Sequence, residues 1–200
     1  MRNRVLREEL VELHYITPIE NIPSILDHGL LSHRRAERFQ HRSVAMQELQ
    51  DRRARVRIPG GRPLHEYVNL YICARNPMLF KRRDHHLELC VLRIEPSVVD
   101  LPNVVISDSN AGSDYVRFAS APAGLKIVDR DATFAEYWTD QEPIQKYRKA
   151  ARKCAEVLVP DVVPAPYITG AYVSCGQSRA SFEELQCGLE VIVNVHLFFR

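Results

Sequence analysis

A chain of 200 residues, 46% hydrophobic and 26% charged, has the size and balance of one globular domain spanning 1–200, with core enough to need no disulfide or metal staple. Its formal charge of +2 excludes a global electrostatic case for nucleic-acid binding. The opening MRNRVLREEL has no apolar signal core and no stretch approaches the roughly 20 apolar residues of a membrane span, so the chain is expected to be a cytoplasmic monomer away from membranes.

Residues 2–12 read as a short polar helix or arm, and 13–16 as a strand. Thr17-Pro18-Ile19-Glu20 spells a capping box, with Thr17 as N-cap and Pro18 at the first helical position. Ile19, Ile22, Ile25 and Leu26 supply an apolar face and Gly29 a stop; Pro23 either kinks this helix or delays its start to Asn21. Residues 43–56 hold good helix formers, and Arg52 and Arg53 fall near the C-terminal end, where positive charge suits the helix dipole. Beyond the Pro59-Gly60-Gly61 loop, YVNLYICA (67–74) is strand-like and puts Tyr67, Asn69, Tyr71 and Cys73 on one face.

Residues 87–94 and 104–107 read as further strands, 108–114 as a loop rich in Asp, Ser, Asn and Gly, and 116–118 as a short strand. Residues 141–153 read as a helix, 155–159 as a strand, 171–174 as another, 181–186 as a short helix and 190–197 as a closing strand. Strands scattered among helices without βαβα alternation favour the α+β class over a doubly wound sheet.

The five cysteines form no CxxC pair, and His85-His86 lacks the i, i+4 spacing of a helical metal pair, so no metal site is expected. Gly-rich phosphate loops, a GxSxG elbow and HExxH are all missing. Basic residues cluster three times: at Arg52, Arg53, Arg55, Arg57 and Arg62; at Lys81, Arg82 and Arg83; and at Lys146, Arg148, Lys149, Arg152 and Lys153. Each cluster alone suits a solvated face, whereas three on one small domain favour an anionic ligand. Glu156 stands inside the apolar run Ala155-Glu156-Val157-Leu158-Val159. A buried carboxylate is costly unless paired, so Glu156 either points to solvent or sits at a strand edge facing a ligand cleft.

With His14, Tyr15, Thr17, Arg53 and Tyr71, this glutamate suits cleavage of the bond between nicotinamide and ribose. A carboxylate stabilises the oxocarbenium-like transition state and takes a proton from the incoming nucleophile. An aromatic face stacks on the nicotinamide ring, and an arginine grips the pyrophosphate.

The segments HYITPIENIPSILDHGLL, SVAMQELQDRRARVRIPGGRPLHEYVNLYICARNPMLF, YVRF, YWTD and CAEVLV occur in an order that resembles the DarT family, from about residue 12 to the end of the chain. The family comprises bacterial toxins that ADP-ribosylate DNA bases with NAD. The resemblance implies the ADP-ribosyltransferase fold, a split mixed sheet around an NAD cleft. It implies Glu156 as catalytic glutamate, Arg53 as a second essential residue on NAD phosphate, Tyr71 against the nicotinamide and Thr17 in the first NAD-binding strand. The basic residues 146–153 would face single-stranded DNA, and a macrodomain antitoxin would remove the ADP-ribose. The family commonly reads Tyr-His-x-Thr where this chain has His14-Tyr15-Ile16-Thr17. A one-residue shift reverses a strand side chain, so either Tyr15 replaces the histidine or a bulge keeps His14 in the cleft. RNA or protein as acceptor, water as acceptor (an NAD glycohydrolase), and a non-catalytic nucleotide-binding module stay open.

Overall fold

The computed structural model describes residues 3–42 and 47–199, without the side chains of residues 47–49. A single 3-10 turn, Arg7–Glu9, stands where residues 2–12 suggested a helix or arm. Strand β1 is Leu13–Pro18, followed by a 3-10 turn and helix α1, Ile22–His28. The expected capping box does not form, because Thr17 and Pro18 remain in β1, paired with Cys90 and Leu89. The late start puts Pro23 in the first helical turn, where its missing N–H leaves no hydrogen bond unmade. Gly29 ends α1 at φ +79°, and a Cβ there would lie 2.6 Å from Val163 O, so conformation and space both require glycine.

Leu30–Leu31 (β2) pairs antiparallel with Val162–Val163 (β8). Helix α2 is His33–Ala36 and α3 is Gln47–Ala54; residues 43–46 of the helix expected from sequence lie outside the described residues. Strand β3, Tyr67–Tyr71, leads to α4, Pro77–Lys81, capped by Asn76, which accepts from the N–H groups of Met78 and Leu79. Then come β4 (Leu89–Ile94), β5 (Val105–Ser107), β6 (Phe118–Ser120), α5 (Arg130–Phe134) and α6 (Pro143–Lys153). The chain closes with β7 (Glu156–Pro160), β9 (Ile168–Val173), α7 (Gly176–Glu183) and β10 (Val191–Val193).

Eight of these strands make one mixed sheet in the order β10-β9-β4-β1-β3-β7-β5-β6. Its pairings are antiparallel except β9 with β10. The joint between β1 and β3 differs from the others. It consists of one residue pair, His14 with Tyr71, whereas β1 pairs with β4 at six positions and β3 with β7 at five. Toward Pro18 and Tyr67 the two strands have no further pairing, and residues of both line one cavity. This is the split in the sheet.

Paired residues of neighbouring strands share a face. His14, Tyr71, Glu156 and Ser107 therefore form one polar row across β1, β3, β7 and β5. The opposite face carries the main core, with Leu13, Leu70, Leu92, Ile94 and Val157 fully buried. Each such side chain contributes roughly 1.5–3 kcal/mol, which lets the sheet carry a charged row on its other face. Two smaller apolar clusters flank that row: Ile16, Leu79, Val91 and Phe198 on one side, and Ile58, Leu64, Tyr67 and Leu158 on the other.

Candidate active site

Glu156 is fully buried in β7, between β3 and β5. It is therefore interior to the sheet, and the expectation of a strand edge does not hold. What makes its burial tolerable is a full set of donors. Arg53 approaches from α3 as a fork, Nη1 donating to Oε1 at 3.3 Å and Nη2 to Oε2 at 2.9 Å. Asn69 Nδ2 donates to Oε2 at 2.6 Å, and the Ala111 backbone N–H donates to Oε1 at 3.1 Å. Four donors on two oxygens saturate a carboxylate. Burial alone lowers the Arg53 pKa, but the Glu156 charge more than reverses this and raises it above the ordinary arginine value. The Tyr71 hydroxyl is pushed well above its ordinary value by burial and then by the Glu156 charge; burial also raises Tyr15. Both therefore remain neutral hydroxyls at physiological pH.

The loop after β5 delivers the backbone donor. Asn110 Oδ1 accepts from Gly112 N at 2.8 Å, an Asx turn that presents the intervening Ala111 N–H inward. A Cβ on Gly112 would lie 3.2 Å from Arg53 Cγ, so the loop packs tightly on the arginine it helps to position. Composition marked 108–114 as a loop, yet a backbone N–H has no side-chain signature, and its role was invisible in the sequence. Asn69 was likewise missed, although strand alternation had put it on the face of Tyr71.

Above this cluster lies a cavity of about 370 Å³. Tyr15, Ile16 and Thr17 line it from β1, Asn69 and Tyr71 from β3, and Arg53 from α3. Met78 and Lys81 on α4, Asn110 and Gly112, and Tyr147 on α6 contribute to its wall. Glu156 itself is not a lining residue; its partners Arg53 and Asn69 are. The sequence thus brings Tyr15, Thr17, Arg53 and Tyr71 together at the cavity, with Glu156 beneath.

His14 does not join them. The unbroken β1–β4 ladder leaves His14 on the face of Tyr71 and Glu156, but at the closed end of the split, where β1 and β3 still pair, and it is not among the residues that line the cavity. Its Nε2 instead lies 3.1 Å from Glu12 Oε1, beside Arg93 and Tyr172, which also donate to Glu12. Burial by itself raises the Glu12 pKa, but hydrogen bonds from His14, Arg93 and Tyr172 outweigh it and hold it at about 2, against an ordinary 4.5. A folded-state value below the unfolded one gives stability that is complete above the unfolded pKa and is lost as pH falls through the folded pKa. Relative to Glu12→Gln, the wild type is expected to lose its advantage between pH 4.5 and about 2, read from denaturant melts across that range.

Lys153 is a second correction. It is 1% exposed, its Nζ donating to Thr133 O at 2.8 Å and to Cys73 Sγ at 3.1 Å. It lies one turn after cavity-lining Ala150, on the inward side of α6, and cannot meet a nucleic-acid phosphate there. Lys146, Arg148, Lys149 and Arg152 do face solvent. Of these, Lys149 pairs with Asp140 at 2.7 Å, and Arg152 with Asp129 at 3.8 Å.

Known proteins similar to this chain share its fold. A DNA ADP-ribosyl transferase of Thermus sp. (strain 2.9) is 31% identical over 169 residues, 78% of each chain. A DNA ADP-ribosyl transferase-DNA ADP-ribosyl glycohydrolase fusion protein of Thermosipho africanus (strain H17ap60334) is 32% identical over 174 residues, 82% of this chain. The chain spans only 42% of that fusion's length. Thermus sp. 2.9 DarT in complex with ADP-ribosylated ssDNA superposes with a TM-score of 0.80 at 26% identity, covering 100% of both chains. The same protein in complex with NAD+ gives 0.76 at 25% identity, over 96% of this chain and 98% of that one. A family model described as ssDNA thymidine ADP-ribosyltransferase, DarT, matches residues 14–199. That match takes in the split between β1 and β3 and the glutamate of β7, and the chain belongs to the DarT family.

Proposed function

We propose that this chain transfers ADP-ribose from NAD to thymidine in single-stranded DNA. It acts as a cytoplasmic, monomeric, single-domain toxin whose mark a macrodomain partner removes. The observation that carries the reading is the Glu156 carboxylate, clamped by Arg53 and Asn69 beneath a cavity in the split of the sheet. The relatives support substrate and partner: one is solved with NAD+ and with ADP-ribosylated ssDNA, and another is fused to a DNA ADP-ribosyl glycohydrolase.

The cavity suits a nicotinamide dinucleotide. Tyr15 and Tyr71 offer aromatic faces, Thr17 and Asn21 offer polar groups, and Arg52, Arg53 and Lys81 offer cations to a diphosphate. Arg53 commits two of its five N–H groups to Glu156, so three remain for a phosphate. When bound, NAD supplies the electrophilic anomeric carbon, from which nicotinamide leaves with the bonding electron pair. Glu156 offers negative charge where positive charge develops. Thymine N3, the ring nitrogen not bonded to deoxyribose, forms the new bond and releases its proton; Glu156 takes it once Arg53, drawn to the diphosphate, frees a carboxylate oxygen toward the cavity. The neutral hydroxyl of Tyr71, directly across the ladder from Glu156, donates rather than removes protons. A single strand presents its base already unpaired, so no duplex has to be opened.

Labelled NAD incubated with DNA, RNA and protein together tests the reading. Label is expected on thymine-containing single-stranded oligonucleotides and absent from thymine-free ones. Label confined to RNA or protein, free ADP-ribose alone, or NAD binding without turnover would each replace the proposal with a different one. The exposed face of α6 carries its own expectation. Changing Lys146 and Arg148 to Ala should raise KM for the oligonucleotide and flatten its salt dependence by about 0.7 for each phosphate no longer neutralised. Lys153→Met should leave that salt slope unchanged, because Lys153 points inward.

A further inference from the structure

Asn69 lines the cavity and holds Glu156, yet the chemistry above gives it no task. It sits in β3 two residues before Tyr71, and its amide crosses the β3–β7 ladder diagonally to reach Oε2. Its bond at 2.6 Å is shorter than either Arg53 contact, at 2.9 and 3.3 Å.

The donors on Glu156 differ in how firmly they are placed. Asn69 belongs to the strand paired with β7 at five positions, so its distance to Glu156 is set by the sheet. Arg53 comes from a helix outside the sheet and has free N–H groups that a ligand diphosphate would draw on. Asn69 is also neutral, so it neither cancels the carboxylate charge nor competes for the phosphates. We infer that Asn69 is a positioning residue that fixes the rotation of Glu156 while Arg53 is shared with the dinucleotide diphosphate. The inference rests on the transferase reading above.

Three proteins decide it: wild type, Asn69→Ala and Asn69→Asp, each with melting temperature and NAD affinity measured beside oligonucleotide labelling. Asn69→Ala is expected to lower kcat by on the order of 10- to 100-fold, the worth of a hydrogen bond to a charged group, with KM for NAD within about two-fold of wild type. Asn69→Asp keeps the shape but sets a second carboxylate against Oε2. Two carboxylates that close share a proton. A protonated Asp donates as the amide did, so activity should recover toward acid pH and the optimum should shift downward. A residue that merely stabilised the fold would lower melting temperature without moving the pH profile. Wild-type kcat in Asn69→Ala, or a wild-type pH profile in Asn69→Asp, overturns the inference. Should Asn69→Ala not fold, the isosteric Asp variant carries the test alone. An inactive wild type brings down the transferase reading and this inference with it, whereas an active wild type with indifferent Asn69 variants brings down this inference only.

Discussion

Glu156→Gln is expected to cut ADP-ribose transfer by about 10³-fold, in the middle of the range for a lost general base. NAD binding should persist, because Tyr15, Thr17, Arg53 and Tyr71 still line the cavity. The substitution keeps the volume and removes the charge. It also brings a hydrogen-bonding conflict. Placed at Oε2, the glutamine NH2 meets Arg53 Nη2 and Asn69 Nδ2; placed at Oε1, it meets Arg53 Nη1 and Ala111 N. Either rotamer opposes donor to donor, so the variant should also melt earlier. Rates are therefore to be compared well below both melting temperatures, with NAD affinity as the check that the cavity survives. Transfer within ten-fold of wild type, under conditions where the variant is folded, would remove Glu156 from the chemistry.

How much of this could be read from residues alone depended on whether a feature was local. Glu156 was conspicuous because a charge interrupts Ala155-Val157-Leu158-Val159, and β3 was conspicuous through its aromatic and β-branched content. The partner of that charge was not. Arg53 lies 103 positions away, and an arginine near a helix C-terminus already has a sufficient local role. Asn69 shows the same limit, since an asparagine on a strand face says nothing of what stands opposite.

Lys153 failed for another reason. Counting charges in 146–153 ignored position along the helix: Lys146 and Lys149 lie on the same stripe as Lys153, but only Lys153, the last residue of α6, is buried, against Thr133 and Cys73. At the start of α1, a cap signal competed with strand pairing, and six β1–β4 pairs outweighed one capping box. Parity does not decide between His14 and Tyr15: His14 shares the face of Tyr71 and Glu156, yet Tyr15, Ile16 and Thr17 line the cavity, because β1 and β3 part beyond the His14–Tyr71 pair and open both faces of β1 to it.

The largest effect on stability is expected from Arg53→Ala. It leaves the carboxylate of Glu156, which has no solvent exposure, without a counter-charge. Removing one partner of a buried pair costs about 3–5 kcal/mol. For a domain of this size that is a fall in melting temperature on the order of 10 °C. Asn69 and the Ala111 N–H soften the loss by still donating to the carboxylate, but neither carries charge. The double variant Arg53→Met with Glu156→Leu should lose less than Arg53→Ala, because no charge is left buried and unpaired. It replaces the pair by apolar groups between the clusters around Leu79 and Leu158 but leaves the buried Ala111 N–H and the Asn69 amide without their acceptor, so it should recover only part of the loss, short of wild type by about 1–3 kcal/mol for each orphaned donor. Both variants should be inactive. Denaturant melts of wild type, Arg53→Met, Glu156→Leu and the double give the coupling energy directly. A coupling below about 1 kcal/mol would mean that water screens the pair, as it does surface ion pairs, and the burial on which the site's electrostatics depend would be lost. A large coupling together with a stable, inactive double variant would instead show a charged pair that the fold can do without and the reaction cannot.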